Sequence, residues 1–202
     1  KECDSYVLRK KTPGRPYVYP ALYRFLYCCG ARCGEARHLR CENVHLSDGY
    51  LDILQSKGHR DRRLFLSDEL ISYLIEYDCA IRNCFPKREY FFPGPSGNII
   101  SASSIPFNFR KIWLAAGLKR DGEIKPRPYD FRHHFACANI ARWAKEKKDV
   151  ISMLPYLMRY MGHSSLEKTY YYVHLIPDYF ADYAAATENL ESLLPEVEPY
   201  EI

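Results

Sequence analysis

The sequence predicts an α+β fold, mostly helical, with one small antiparallel sheet. Two observations carry that prediction. Apolar residues recur at helical spacing in several stretches bounded by capping residues or glycine. Only "VHLSDGYLDILQSKGHRDRRLFLS" (44–67) breaks into short apolar runs separated by turn sequences, as a hairpin meander does. At 202 residues the chain can bury the core of one domain.

Taken in order, residues 1–19 read as a basic linker, because "RKKTPGRP" has turn residues and no apolar period. "ALYRFLYCCG" places Leu22, Phe25, Leu26 and Cys29 on one helical face and stops at Gly30. In the meander, "SDG" and "KGHRD" are the turns, with Lys57 in or beside the second. Ser67 is placed to cap a helix whose first residues, Asp68 and Glu69, suit the positive end of its dipole. Leu70, Ile71, Leu74 and Ile75 form the stripe expected to be buried. "FFPGPSGN" reads as a loop, and "SSIPFNFRKIWLAAG" as a helix with Pro106 near its start and Gly117 at its end. Asp130 is the expected N-cap of a helix through "FRHHFACANIARWAKE" that buries Phe131, Phe135 and Ala138. "VISMLPYLMRYM" must stop at Gly162. Ser164 and Glu167 have capping-box spacing, so a further helix carries "TYYY" and ends at Pro177.

Composition narrows the function. No stretch approaches eighteen consecutive apolar residues and Lys1–Asp4 has no apolar signal core, so the expectation is a cytoplasmic protein without a membrane partner. Eight cysteines form no paired C-x₂-C knuckles with matching histidines, which favours reduced thiols over a metal site. The net charge of +4 divides unevenly: residues 175–202 carry seven acids and no Lys or Arg, leaving +11 on residues 1–174. A basic body with an acidic tail suits a domain that binds a polyanion.

Arg32, Lys57, Arg132, His163 and a tyrosine of "TYYY" are individually ordinary, but together they describe a chemistry. Arginine forks can hold two non-bridging phosphate oxygens and offset the charge of a pentacoordinate transition state. A lysine can protonate a leaving alkoxide, and a tyrosine can be a covalent nucleophile. Residues 170, 171 and 172 point about 100° apart on a helix, so only one of these tyrosines can face a given phosphate.

"YCCGARCGEARHLRCENV", "SKGHRDRRLFLS", "YDFRHHFA" and "MGHSSLEKTYYYVH" occur in this order and together resemble the sequence boxes of the tyrosine recombinases, the phage-type integrases among them. The resemblance spans about residues 20–175 and implies a catalytic-domain-like helical bundle with a small antiparallel sheet, followed by an acidic tail over 176–202. It implies Arg32 and Arg132 as phosphate-binding arginines, Glu35 as acidic support, Lys57 as general acid toward the 5′ oxygen, and His163 on the scissile phosphate. The family's T-x-x-Y-x-H ending fits Thr169, Tyr172 and His174, which makes Tyr172 the nucleophile of a 3′-phosphotyrosyl intermediate formed without metal or cofactor. His174 is equally suited to packing or capping. The implied partner is double-stranded DNA, bound by a homotetramer on synapsed sites, the chain being monomeric without DNA. Lys10, Lys11, Arg15, Arg60, Arg62, Arg63, Lys119, Arg120, Lys125 and Arg127 are candidate backbone-phosphate contacts, which give affinity rather than sequence choice.

Two departures from the family pattern stand out. Tyr129 occupies the position where the family has a histidine, and a phenol is a poor proton acceptor at neutral pH. That leaves the base role open among water, His163 and His133. Ahead of the first box, "PYVYPALYRFLY" passes almost directly from linker to helix, where relatives have another helix and a separate DNA-clamping domain. The tail "LIPDYFADYAAATENLESLLP" alternates apolar and acidic residues and suits either exchange between protomers or packing on its own domain. Two other readings share these residues, a type IB topoisomerase-like nicking-closing enzyme and a catalytically inactive DNA-binding relative.

Overall fold

A computed structural model describes Cys3 and residues 14–54, 61–118 and 126–173. The expectations for Lys57, for Pro177 and for the tail fall outside these residues. Helix α1 (Arg15–Cys29) is followed by the short α2 (Cys33–His38) and a three-stranded meander, β1 (Val44–His45), β2 (Tyr50–Ile53) and β3 (Arg62–Phe65). Then come α3 (Asp68–Cys84), α4 (Ser104–Ala115), α5 (Asp130–Lys145), α6 (Val150–Met161) and α7 (Glu167–Val173). No helix among the described residues is long and apolar enough to cross a membrane.

The linker ends earlier than expected. Residues 15–19 form the start of α1, where a proline in the first turn sacrifices no helical hydrogen bond. Val18 and Tyr19, each 2% exposed, are drawn into the core. The sheet is antiparallel in the order β1-β2-β3, with Leu51 opposite Leu64 and Ile53 opposite Arg62. Leu51, Ile53 and Leu64 are buried, so the two-residue period of a strand turns Arg62 toward the same interior face.

Ser67 caps α3 as expected, its side chain accepting from the Leu70 amide. The buried stripe, however, is Leu70, Leu74, Tyr77 and Ile81, and Ile75 stays 45% exposed. Tyr77 takes over because its ring packs on Phe91 and Phe92 and its hydroxyl donates to the Phe91 carbonyl at 2.7 Å. In α5, Tyr129 rather than Asp130 sits at the N-cap. The Asp130 carboxylate instead closes the preceding turn, accepting from the Arg127 amide at 2.8 Å. The inward face of α5 is Arg132, Ala136, Ile140 and Trp143; Phe131 and Phe135 are only half-buried and Ala138 is exposed.

Two apolar clusters result. One gathers α1, the sheet, α3, the Phe91–Phe92 segment and α4; the other gathers the inward faces of α5, α6 and α7. Leu22, Phe25 and Leu26 of α1 are almost fully buried in the first, each contributing about 1.5–3 kcal/mol by removal from water. Helix α5 packs against α1, α6 and α7, and Arg132 in its first turn reaches the carboxyl ends of α1 and α6.

Candidate active site

The site is assembled at the carboxyl end of α6. Gly162 caps that helix with φ +65°, and its left-handed conformation turns the chain so that His163 follows at once. Three consecutive carbonyls there accept from three arginines of distant sequence. Arg62 Nε donates to the Tyr160 oxygen at 2.6 Å, Arg132 Nη2 to the Met161 oxygen, and Arg32 Nη2 to the Gly162 oxygen at 2.9 Å. The negative end of the α6 dipole thus faces three guanidinium groups.

Arg32 reaches this point from the N-cap of α2, just after Gly30 has ended α1 in the left-handed region at φ +59°. A Cβ on Gly30 would lie 2.5 Å from the Phe135 ring, so no larger residue fits between α1 and α5 here. The Gly30 carbonyl accepts from Arg132 Nη1 at 2.7 Å, which suspends the Arg132 side chain, 1% exposed, between the ends of α1 and α6. Burial, and secondarily the Arg32 charge, push the Arg132 guanidinium down to about 10, and it remains a cation at neutral pH.

Glu35 ties the arginines together. It accepts from the Arg32 amide at 2.9 Å and from Arg32 Nη1 at 2.7 Å, and it is bridged by both terminal nitrogens of Arg62 at 3.0 and 2.8 Å. Burial alone would raise its carboxyl, but the Arg62 fork and Arg32 outweigh it and hold Glu35 below the usual carboxylate range. Three guanidinium charges against one carboxylate and one helix terminus leave roughly +1.5 charges for an anion to meet.

His163 is 7% exposed, and its Nδ1 lies 2.9 Å from the Thr169 hydroxyl. Burial and the surrounding cations, Arg132 first, push its imidazole down to about 4, so it is neutral at pH 7. The Tyr172 ring, 3% exposed, stacks on His163 with centroids 6.0 Å apart and planes 13° from parallel. The His133 ring also packs on Tyr172, with centroids 5.6 Å apart, and in turn meets Tyr129 at 5.0 Å. Burial raises the Tyr172 phenol while the Arg132 charge works against that rise. Tyr171 is 56% exposed and Tyr170 is half-buried against the second core, so Tyr172 is the one of the three that stacks on His163.

Arg32, Glu35, Arg132, His163, Tyr172, Tyr129 and His133 are therefore brought together, whereas Lys57 and His174 lie outside the described residues. The expected phosphate contacts are placed less uniformly. The Arg62 side chain, 7% exposed, donates to Glu35 and to the Tyr160 carbonyl. Arg63 is forked onto Asp52 and stacked on Tyr50, Arg127 pairs with Asp130, and Arg15 lies over the Tyr19 ring. Lys10, Lys11, Arg60, Lys119, Arg120 and Lys125 are outside the described residues. Among those residues, no group of three or more His, Cys, Asp or Glu gathers as metal ligands. The anchoring role of Arg62 was available in the strand period, since an arginine on the face shared with Leu64 requires a buried acceptor.

The profile of the phage integrase family matches residues 10–178. A Sinorhizobium fredii protein named as an integrase/recombinase is 32% identical over 165 residues, covering 80% of this chain and 52% of its own length. Two solved structures share the fold. The XerH site-specific recombinase, crystallised on palindromic difH in a post-cleavage complex, is 24% identical with a TM-score of 0.68, covering 93% of this chain and 50% of its own. A lambda integrase tetramer bound to a Holliday junction is 16% identical with a TM-score of 0.57, covering 83% of this chain and 45% of its own. The chain thus spans about half the length of the relatives it matches.

Proposed function

The chain belongs to the phage integrase family, and from that premise we propose that it is the catalytic domain of a site-specific DNA recombinase. It cleaves and rejoins double-stranded DNA through a 3′-phosphotyrosyl bond to Tyr172. The observation that carries this reading is the placement of Tyr172, alone of three consecutive tyrosines, against His163 and within the field of Arg132.

The geometry supports a division of labour. Arg132 uses two of its five N–H donors on carbonyls, and its Nε is buried without a partner. Arg32 is oriented by Glu35 and the Gly162 carbonyl. A scissile phosphate seated between them would receive charge-assisted hydrogen bonds from both forks, which stabilise the doubly charged transition state more than the singly charged diester. The neutral imidazole of His163, oriented by Thr169, is positioned to hydrogen-bond a phosphate oxygen. In this reading Lys57 protonates the departing 5′ oxygen. The covalent phosphotyrosine conserves the broken bond, so rejoining requires no external energy.

Recombination needs two sites, and we infer a homotetramer on synapsed DNA, acting in the cytoplasm. A groove of about 1310 Å³ opens beside the site, lined by Phe65, Trp143, Tyr156 and Leu157 together with Arg63 and Arg159. Its largely apolar lining, with Arg159 in it, suits the apolar and acidic alternation of the 176–202 tail, which we assign to a neighbouring protomer's groove.

The test is a nicked suicide duplex bearing the DNA ends that flank the gene, incubated with wild type, Tyr170→Phe, Tyr171→Phe and Tyr172→Phe. A covalent protein–DNA band on a denaturing gel that is lost only in Tyr172→Phe is the expected result. Wild type that binds this DNA and never forms the band would refute the cleavage reading and leave a DNA-binding relative.

A further inference from the structure

To attack phosphorus, Tyr172 must lose its hydroxyl proton, and burial already holds that phenol above its ordinary range. Two imidazoles flank it. His163 has its Nδ1 engaged with the Thr169 hydroxyl. His133 differs, because its Nδ1 is buried and has no hydrogen-bond partner. Buried ring nitrogens ordinarily find one, and exceptions call for an explanation. The His133 ring is also held on two sides, edge-on to Tyr129 at 5.0 Å and tilted against Tyr172 at 5.6 Å.

We propose that His133 is the proton acceptor for Tyr172 during strand cleavage, with Tyr129 as the positioning residue that holds the imidazole in place. The proposal rests on the reading of Tyr172 as nucleophile. As the Tyr172 O–H bond breaks, its proton passes to His133. The phenolate oxygen bonds to phosphorus, and the P–O5′ bond breaks with its electron pair on the 5′ oxygen. That oxygen takes a proton from the general acid assigned to Lys57. Rejoining reverses each transfer: the 5′ hydroxyl gives its proton back to Lys57, and the departing phenolate recovers its own from His133.

The electrostatics suit a base. The titratable and charged groups around His133 are Arg127, Asp130, Arg132 and Tyr129 at its own end of α5, and Tyr172 from α7. Burial lowers the imidazole below its ordinary range and Asp130 opposes that, while Arg127 and Arg132 add to it, so His133 is unprotonated at neutral pH. A neutral imidazole whose Nδ1 has no hydrogen-bond partner and whose ring packs on that of Tyr172 is the form a general base needs.

The test uses the full-length protein and a nicked suicide duplex recovered by covalent capture from a randomised library. Single-turnover cleavage is followed from pH 5 to 9 for wild type, His133→Gln, His133→Phe and Tyr172→Phe. A second duplex carries sulfur at the bridging 5′ position, where the leaving thiolate needs no general acid. Both His133 variants should cleave about 10²–10⁴-fold more slowly on either duplex. Their rates should climb tenfold per pH unit as hydroxide replaces the imidazole, whereas wild type levels off above the His133 pKa. His133→Phe retains a ring between Tyr129 and Tyr172, so a defect in it reports lost proton transfer rather than lost packing. Independently of any variant's folding, the His133 pKa measured by NMR on the wild type should coincide with the acid limb of the wild-type rate profile.

Variant rates within threefold of wild type, recovery of either variant on the sulfur duplex, or an NMR pKa away from the acid limb would each overturn the proposal. An adduct that survives in Tyr172→Phe would instead overturn the parent reading.

Discussion

Glu35 is the residue on which the site's electrostatics turn, because it is the carboxylate shared by Arg32 and the buried Arg62. Glu35→Gln keeps the shape and removes the charge, leaving the Arg62 cation without its counter-ion. The expected cost is about 3–5 kcal/mol in urea unfolding at pH 7, together with slower cleavage as Arg32 loses its orientation. The pH dependence has a definite sign. A carboxyl held below its unfolded value stabilises the fold above that value, and the contribution disappears as pH falls through the folded pKa. His163 adds to acid sensitivity by the opposite route. Its imidazole is pushed from 6.5 to about 4, so between those values the unfolded chain binds a proton that the folded chain refuses. Stability should therefore fall as pH drops through that window, by up to about 3 kcal/mol. Urea titrations at pH 4.5 and 7 should show a smaller difference in His163→Gln than in wild type. Tyr172 separates chemistry from packing: Tyr172→Phe should abolish the adduct with little change in Tm, whereas Tyr172→Ala should also destabilise by about 3–5 kcal/mol.

At the scale of elements, helix ends do most to position the site. Gly162 shows it most directly. Its φ of +65° suits glycine, and a Cβ there would lie 3.0 Å from Arg62 Nη1. Gly162→Ala should cost about 1–3 kcal/mol and weaken cleavage by displacing Arg62 from Glu35, which unfolding curves and adduct yields can check together. This scale also shows what the sequence could and could not reveal. Gly30 and Gly162 announced the ends of α1 and α6, and Ser67 the start of α3, because these are local requirements of backbone geometry. Buried faces were less legible. Ile71 and Ile75 had the right period, yet the core chose Tyr77 and Ile81 because Phe91 and Phe92 come from a separate segment to cover them. Helix α5 was harder still. It is packed on two sides, and the residue most buried at its start is Arg132, whose acceptors lie 102 and 29 residues away. The resemblance to the recombinase boxes implied Arg32, Arg132, His163 and Tyr172 as a set, but a sequence box carries no information about carbonyls. Hence the strand period of β3 could mark Arg62 as an inward arginine needing a buried acceptor, whereas the acceptors themselves, Glu35 and the Tyr160 carbonyl, became visible only in the fold.

For the whole molecule, if it binds DNA as proposed, the distribution of charge sets the strength and salt dependence of that binding. Residues 1–174 carry +11 and the tail carries seven acids, but several described cations are already engaged, Arg62 and Arg63 among them. The salt dependence of binding should therefore report far fewer phosphate contacts than the charge suggests, since each true contact adds about 0.9 to the slope of log K against log salt. Arg63→Ala should leave that slope nearly unchanged, because Asp52 already neutralises the side chain it removes. Deleting residues 176–202 separates binding from assembly. The truncated protein loses seven negative charges that repel phosphates, so single-site DNA binding should hold or tighten at low salt. If the tail seats in a neighbour's groove beside β3 and α6, the same truncation should abolish the tetrameric complex on paired sites, read by mass photometry. Replacing Tyr156, 70% exposed on the groove wall, with Glu should reproduce the assembly defect in the full-length chain by setting like charge against the acidic tail. Tetramers that persist in both variants would place the tail on its own domain and require another surface to hold the protomers together.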